Sequence, residues 1–129
     1  MKASTKRWLE FAKADLMNCE LILNHDLLTG IVAFHAQQAV EKSFKAVLDE
    51  NEAAIPRIHS LQRLYDIIKP FVELEMHPDD LAVLDSIYTS TRYPVGLGSL
   101  PSGKPTIDEA KNLYYIAEKI FLQIQKGLA

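Results

Sequence analysis

The stretch Ile31 to Asn51, IVAFHAQQAVEKSFKAVLDEN, decides how the rest of the chain must fold. With each residue advancing about 100°, its apolar side chains cover an arc of roughly 200°, about twice the stripe of a surface helix. A helix of that kind is central and wrapped by others, and its Glu and Ala residues supply helix propensity. The sector left over gathers His35, Gln38, Glu41, Lys42 and Lys45 at helical neighbour spacings. Two readings fit that stripe. It can be a solvated face, in which Glu41 and Lys45 pair four residues apart for about 0.3–0.5 kcal/mol. Or it can line a groove or dimer surface where the two lysines meet phosphate.

Working outward, four more helices are predicted and no segment reads as a half-buried strand. The first covers about Thr5 to Asn24, with Trp8, Phe11, Ala12, Leu16, Cys19, Ile22 and Leu23 on one face and Asp15 in the middle of it. A carboxylate there needs a partner, and Lys42 and Arg92 are the candidate bases; that structural role competes with a catalytic one. The third begins near Ser60, carries Leu61, Leu64, Tyr65 and Ile68, and stops at Pro70. The fourth is predicted from Pro78 to about Ser90, with Asp79 and Asp80 at its positive end. The last opens on Thr106-Ile107-Asp108-Glu109, the pattern of a reciprocal cap. It buries Ile107, Ala110, Leu113, Tyr114, Ala117, Ile120, Phe121 and Ile124. Between the last two, Thr91 to Pro105 holds three of the six prolines and three of the five glycines, marking a long loop of the kind that is functional or mobile. The expected fold is all-α, an antiparallel up-and-down bundle of about five helices forming one domain over residues 1–129.

Composition narrows the function. At 129 residues, 48% apolar and 24% charged, the chain has the make-up of one soluble domain. Its net charge of −3 supplies no overall attraction for nucleic acid, so any such contact must be local. Cys19 is the one cysteine, and no run of about eighteen apolar residues exists; both suit a cytoplasmic protein. The four histidines and Cys19 lack metal-ligand spacing, and no nucleophile elbow or phosphate-cradling glycine loop is present. Taken singly, His35 and His59 fit a hydrogen-bonding role as well as a ligand-binding one. Arg92-Tyr93-Pro94 ends a helix, or offers a cation for an anion with an aromatic ring to stack on a base.

Several elements then occur together in order: Trp8, Ala14-Asp15-Leu16, Ala33-Phe34-His35-Ala36-Gln37-Gln38-Ala39-Val40-Glu41-Lys42, Lys45-Ala46, Pro56-Arg57-Ile58-His59-Ser60-Leu61 and Thr91-Arg92-Tyr93-Pro94. The series resembles the HEPN domain family over essentially the whole chain. That resemblance implies a helical bundle that forms a homodimer and associates with nucleotides or RNA. It also implies pairing with a small nucleotidyltransferase in a toxin–antitoxin-like system. Active relatives are metal-independent endoribonucleases, marked by an Arg, a polar residue and, four to six residues on, a His. This chain departs from that signature: Tyr93 to Ser99 follow Arg92 without a histidine. Arg57 and His59 stand too close, and Arg63 and His77 too far apart. The missing imidazole would be the group that titrates near neutrality.

The leading expectation is therefore a dimeric binding module for a nucleotide, RNA or nucleotidyltransferase. Its candidate ligand-binding residues are His35, Lys42, Lys45, His59, Arg92 and Tyr93, with Asp15, Gln38 and Glu41 as structural polar residues. No metal is expected, nor any cofactor beyond a nucleotide ligand. A divergent endoribonuclease toxin is the first alternative, and a purely structural interaction protein the second.

Overall fold

Helix α2, Thr29–Glu50, runs through the middle of the computed structural model, and α1 (Ala3–Ile22), α3 (Leu61–Ile68), α4 (Asp80–Arg92) and α5 (Ile107–Leu128) all pack on it. Described are the backbone at residues 1–92 and 104–129 and the side chains at residues 1–86 and 104–129. Among the described residues the fold is an all-α antiparallel up-and-down bundle of five helices, as the sequence predicts. The wide apolar arc of α2 is the reason for its place: Val32, Ala33, Ala36, Ala39, Val40, Phe44, Ala46, Val47 and Leu48 are all buried.

Helix α1 lies against α2 along Thr5, Leu9, Ala12, Leu16 and Cys19, spaced four, three, four and three residues apart like a coiled-coil seam. This corrects the predicted face. Phe11 is 59% exposed, Leu9 takes its place in the core, and Trp8, Ile22 and Leu23 are only partly buried. The two helices are antiparallel because the start of α1 is tied to the end of α2. The Ser4 and Thr5 hydroxyls donate to the Asp49 carboxylate at 2.6 and 2.9 Å. The Ser4 bond, outweighing desolvation, holds the Asp49 carboxyl below the usual carboxylate range. The tie is therefore present above that range and is lost as pH falls through the depressed value. At the other end, Cys19 donates its thiol to the carbonyl of Val32 at 3.4 Å, and burial pushes the thiol up to about 12. It stays protonated and unreactive at neutral pH.

The remaining elements follow their local signals with small shifts. The Thr106 hydroxyl accepts from the Glu109 amide at 3.1 Å while the Glu109 carboxylate accepts from the Thr106 amide at 2.8 Å, so the reciprocal cap is complete. Every residue of the predicted α5 stripe is buried except Ile107, which is half-buried. Helix α1 stops two residues early, at Ile22, and α2 starts two residues early, at Thr29. Helix α4 starts at Asp80 rather than Pro78, because the Asp80 carboxylate accepts from the His77 amide at 3.0 Å and closes a turn that contains the proline. It runs to Arg92, past the predicted Ser90. Of the predicted loop, Thr91 and Arg92 are helical, and residues 93–103 lie outside the described residues.

Two side chains fix the shorter elements. Gln123 of α5 accepts from the Glu75 amide at 2.7 Å and donates to its carbonyl at 2.9 Å, pinning an extended connection in which Val72, Leu74 and Met76 turn toward the core. Asp85 of α4 caps α3 from outside, accepting from the amides of Leu61 and Gln62 at 2.8 and 3.2 Å. An eight-residue helix has little intrinsic stability, so this cap matters. Asp85→Ala is expected to lower the unfolding free energy by about 1–2 kcal/mol, read as a lower urea midpoint at unchanged m.

Candidate functional site

Because α2 is surrounded, its polar stripe cannot simply face water. Asp15, on α1, is 6% exposed and uses both carboxylate oxygens: one lies 2.8 Å from His35 Nδ1 and the other accepts from Lys42 Nζ at 2.7 Å. The sequence offered Lys42 or Arg92 as the base for Asp15. The structure brings in Lys42 and adds His35, while the side chain of Arg92 and the whole of Tyr93 lie outside the described residues.

One turn along, the same pattern repeats. Glu41 is 5% exposed, accepts from Lys45 Nζ at 3.0 Å and lies 3.2 Å from His59 Nδ1. Lys45 is itself 8% exposed. The solvated-face reading of the stripe therefore fails at Glu41 and Lys45, which are taken out of water by the packing around α2. A pair buried to this degree is costly to desolvate and is held by geometry, unlike the surface pair considered from sequence.

The row thus consists of two carboxylates, each set between a lysine and a histidine. In both cases the imidazole presents Nδ1 to the carboxylate, which fixes the ring. Phe34 packs edge-on against the His35 ring at 5.4 Å. The His59 ring is 57% exposed at the surface, and the side chain of His35 is partly so. Asp15 and Glu41 balance Lys42 and Lys45 in formal charge, so the net charge of the row is set by its two histidines.

Sequence reasoning missed Gln37. It is fully buried, donates to the backbone carbonyl of His59 at 2.9 Å, and accepts from Gln38 at the same distance. It holds the segment that carries His59 against α2. Its signal was a polar residue inside the apolar arc rather than in the stripe beside it. The other two histidines stay apart: His25 and His77 each accept a nearby backbone amide, from Leu27 and Asp79. Among the described residues no three His, Cys, Asp or Glu side chains are grouped to hold a metal ion, and no helix is long and apolar enough to cross a membrane.

Comparisons with known proteins come down on one side. A family model of the HEPN domain matches residues 5–126. The chain is 25% identical to TT1696 from Thermus thermophilus, with a TM-score of 0.78 over 98% of this chain and 99% of that one. It is 22% identical to ST0689, an archaeal HEPN homologue, with a TM-score of 0.70 over the full length of both, a likeness that speaks to fold alone. No curated protein matches.

The buried pair makes a thermodynamic prediction. Lys45→Met leaves the buried Glu41 carboxylate to His59 without its lysine and is expected to cost about 3–5 kcal/mol, whereas Glu41→Leu combined with Lys45→Met is expected to cost less than Lys45→Met alone. Chemical denaturation of the single and double variants measures that non-additivity.

Proposed function

The chain belongs to the HEPN domain family, and on that premise we propose that it is a dimeric cytoplasmic binding module. It engages a nucleotide, an RNA or a small nucleotidyltransferase through the polar row of α2, as the helical member of a toxin–antitoxin-like pair. The observation that carries this reading is the paired arrangement of Asp15–His35 and Glu41–His59, in which buried carboxylates hold two imidazoles that reach the surface. A row kept only for solubility would not need its anions buried, because burial costs desolvation that only a fixed geometry offsets.

Within this proposal the histidines do more than the lysines. Lys42 and Lys45 are each committed to a carboxylate, so His35 and His59 are the groups of the row that meet a phosphate. In this reading the residue types of Arg92 and Tyr93 suit them to a phosphate and to stacking on a base. The ligand is taken without a metal or an organic cofactor.

A second reading is favoured by the same pairs. A carboxylate-oriented imidazole is the arrangement of a general base, and His35 and His59 would then supply the acid and base that RNA cleavage by its own 2′-hydroxyl requires. This is the divergent endoribonuclease toxin, its imidazoles drawn from α2 and from the segment before α3.

Isothermal titration with ATP, GTP and a short RNA tests the binding reading. Salt-sensitive binding is expected. His35→Gln and His59→Gln are each expected to weaken it. No binding of any of the three leaves a protein partner alone, to be checked by sizing with the nucleotidyltransferase of a neighbouring gene. The enzymatic reading expects metal-free RNA cleavage and growth arrest on expression, both lost in His35→Ala or His59→Ala.

A further inference from the structure

On a different side of α1 from Asp15, a groove of about 410 Å³ opens between α1 and α5. That volume falls within the roughly 300–1,000 Å³ of small-molecule sites. Its walls are mostly carbon, with Leu9, Ala14 and Met17 from α1 and Phe121 from α5. Leu9 and Phe121 are core side chains, each showing the groove one edge, whereas Met17 is 53% exposed and flexible enough to fit a variable guest.

The charges around this groove differ from those on α2. Lys6 and Lys13 stand two turns apart on the face of α1 that lines it, and neither has a carboxylate within ion-pair distance among the described residues. Lys13 instead lies 5.9 Å from the centre of the Phe121 ring, over the apolar floor. Glu10 also lines the groove, between the two lysines, and Gln125 faces them from α5. A carbon-lined trough with two uncommitted ammonium groups at its rim, on a protein of net charge −3, complements an apolar tail with an anionic head.

We infer that the α1–α5 groove binds a single-chain amphiphilic carboxylate, its acyl chain laid along Leu9, Met17 and Phe121 and its carboxylate held by Lys13 and Lys6. The site is separate from the polar row of α2 and does not depend on the function proposed for that row. A helical peptide would lie over the rim with most of its bulk outside this volume, which favours a thin chain as occupant. The overall negative charge also makes the assignment discriminating, since non-specific association with this protein favours a cationic amphiphile over an anionic one.

The test is titration of the full chain with octanoate, decanoate and dodecanoate below their micellar concentrations, followed by calorimetry and by the methyl signals of ¹³C-methionine. Saturable binding is expected, tightening about fourfold per added methylene until the groove is filled. The Met17 methyl is expected to shift while that of Met76, elsewhere in the fold, does not. Lys13→Met and Lys6→Met are expected to weaken dodecanoate but not dodecanol, and Ala14→Trp to block both by filling the trough. Equal affinity for dodecanoate and dodecyltrimethylammonium, or binding unchanged in all three variants, overturns the inference. So do Met17 shifts produced by an acidic amphipathic peptide but not by alkanoates, which assign the groove to a protein partner. Shifts that grow with protein concentration alone assign it to a second copy and overturn it equally.

Discussion

A helix enclosed on nearly every side must settle its charges inside the protein, and α2 does so with the carboxylates of Asp15 and Glu41. Those two groups join three parts of the chain. Asp15 ties α1 to α2 through His35 and Lys42, and Glu41 ties the segment before α3 to α2 through His59. Gln37 reinforces the second tie by holding the His59 backbone. Removing either anion would leave a buried or half-buried cation uncompensated, so fold and site cannot be altered independently.

That dependence gives the candidate site its character. Functional groups borne on loops gain reach and lose precision, whereas His35, Lys42 and Lys45 stand on a rigid helix with their partners fixed at hydrogen-bond distance. His59, in the irregular segment before α3, is held to that helix by Glu41 and by the Gln37 bond to its backbone. The arrangement suits less well a surface that gathers loose cations around a polyanion, because the lysines are already neutralised.

The fold was largely legible in the sequence, and the reason is periodicity. The arc of α2, the stripe of α5 and the Thr106–Glu109 cap are local patterns, and local patterns report helices faithfully. The face of α1 was read correctly at Ala12, Leu16 and Cys19 but took in Phe11, which lies off the four-three seam, and left out Leu9, which lies on it. The Lys42 contact of Asp15 was anticipated from the cost of an isolated buried carboxylate, but the contacts of Asp85, Gln37 and Gln123 were not. Each joins residues far apart in the chain, and a polar residue carries no mark of which distant amide it will meet. The burial of Glu41 and Lys45 was hidden for the same reason: a helical wheel shows neighbours on one helix, not the helices that cover it.

The antiparallel pairing of α1 with α2 has a consequence for how the molecule assembles. The two helices follow one another directly through a single short turn at Asp26–Leu28, and their contact is the most extensive in the fold. Contacts between consecutive elements close the smallest loops and cost the least chain entropy, so this hairpin is the natural nucleus around which α3, α4 and α5 condense. The Asp15–His35–Lys42 cluster belongs wholly to that hairpin. Half of the polar row is therefore contained within the first fifty residues of the chain.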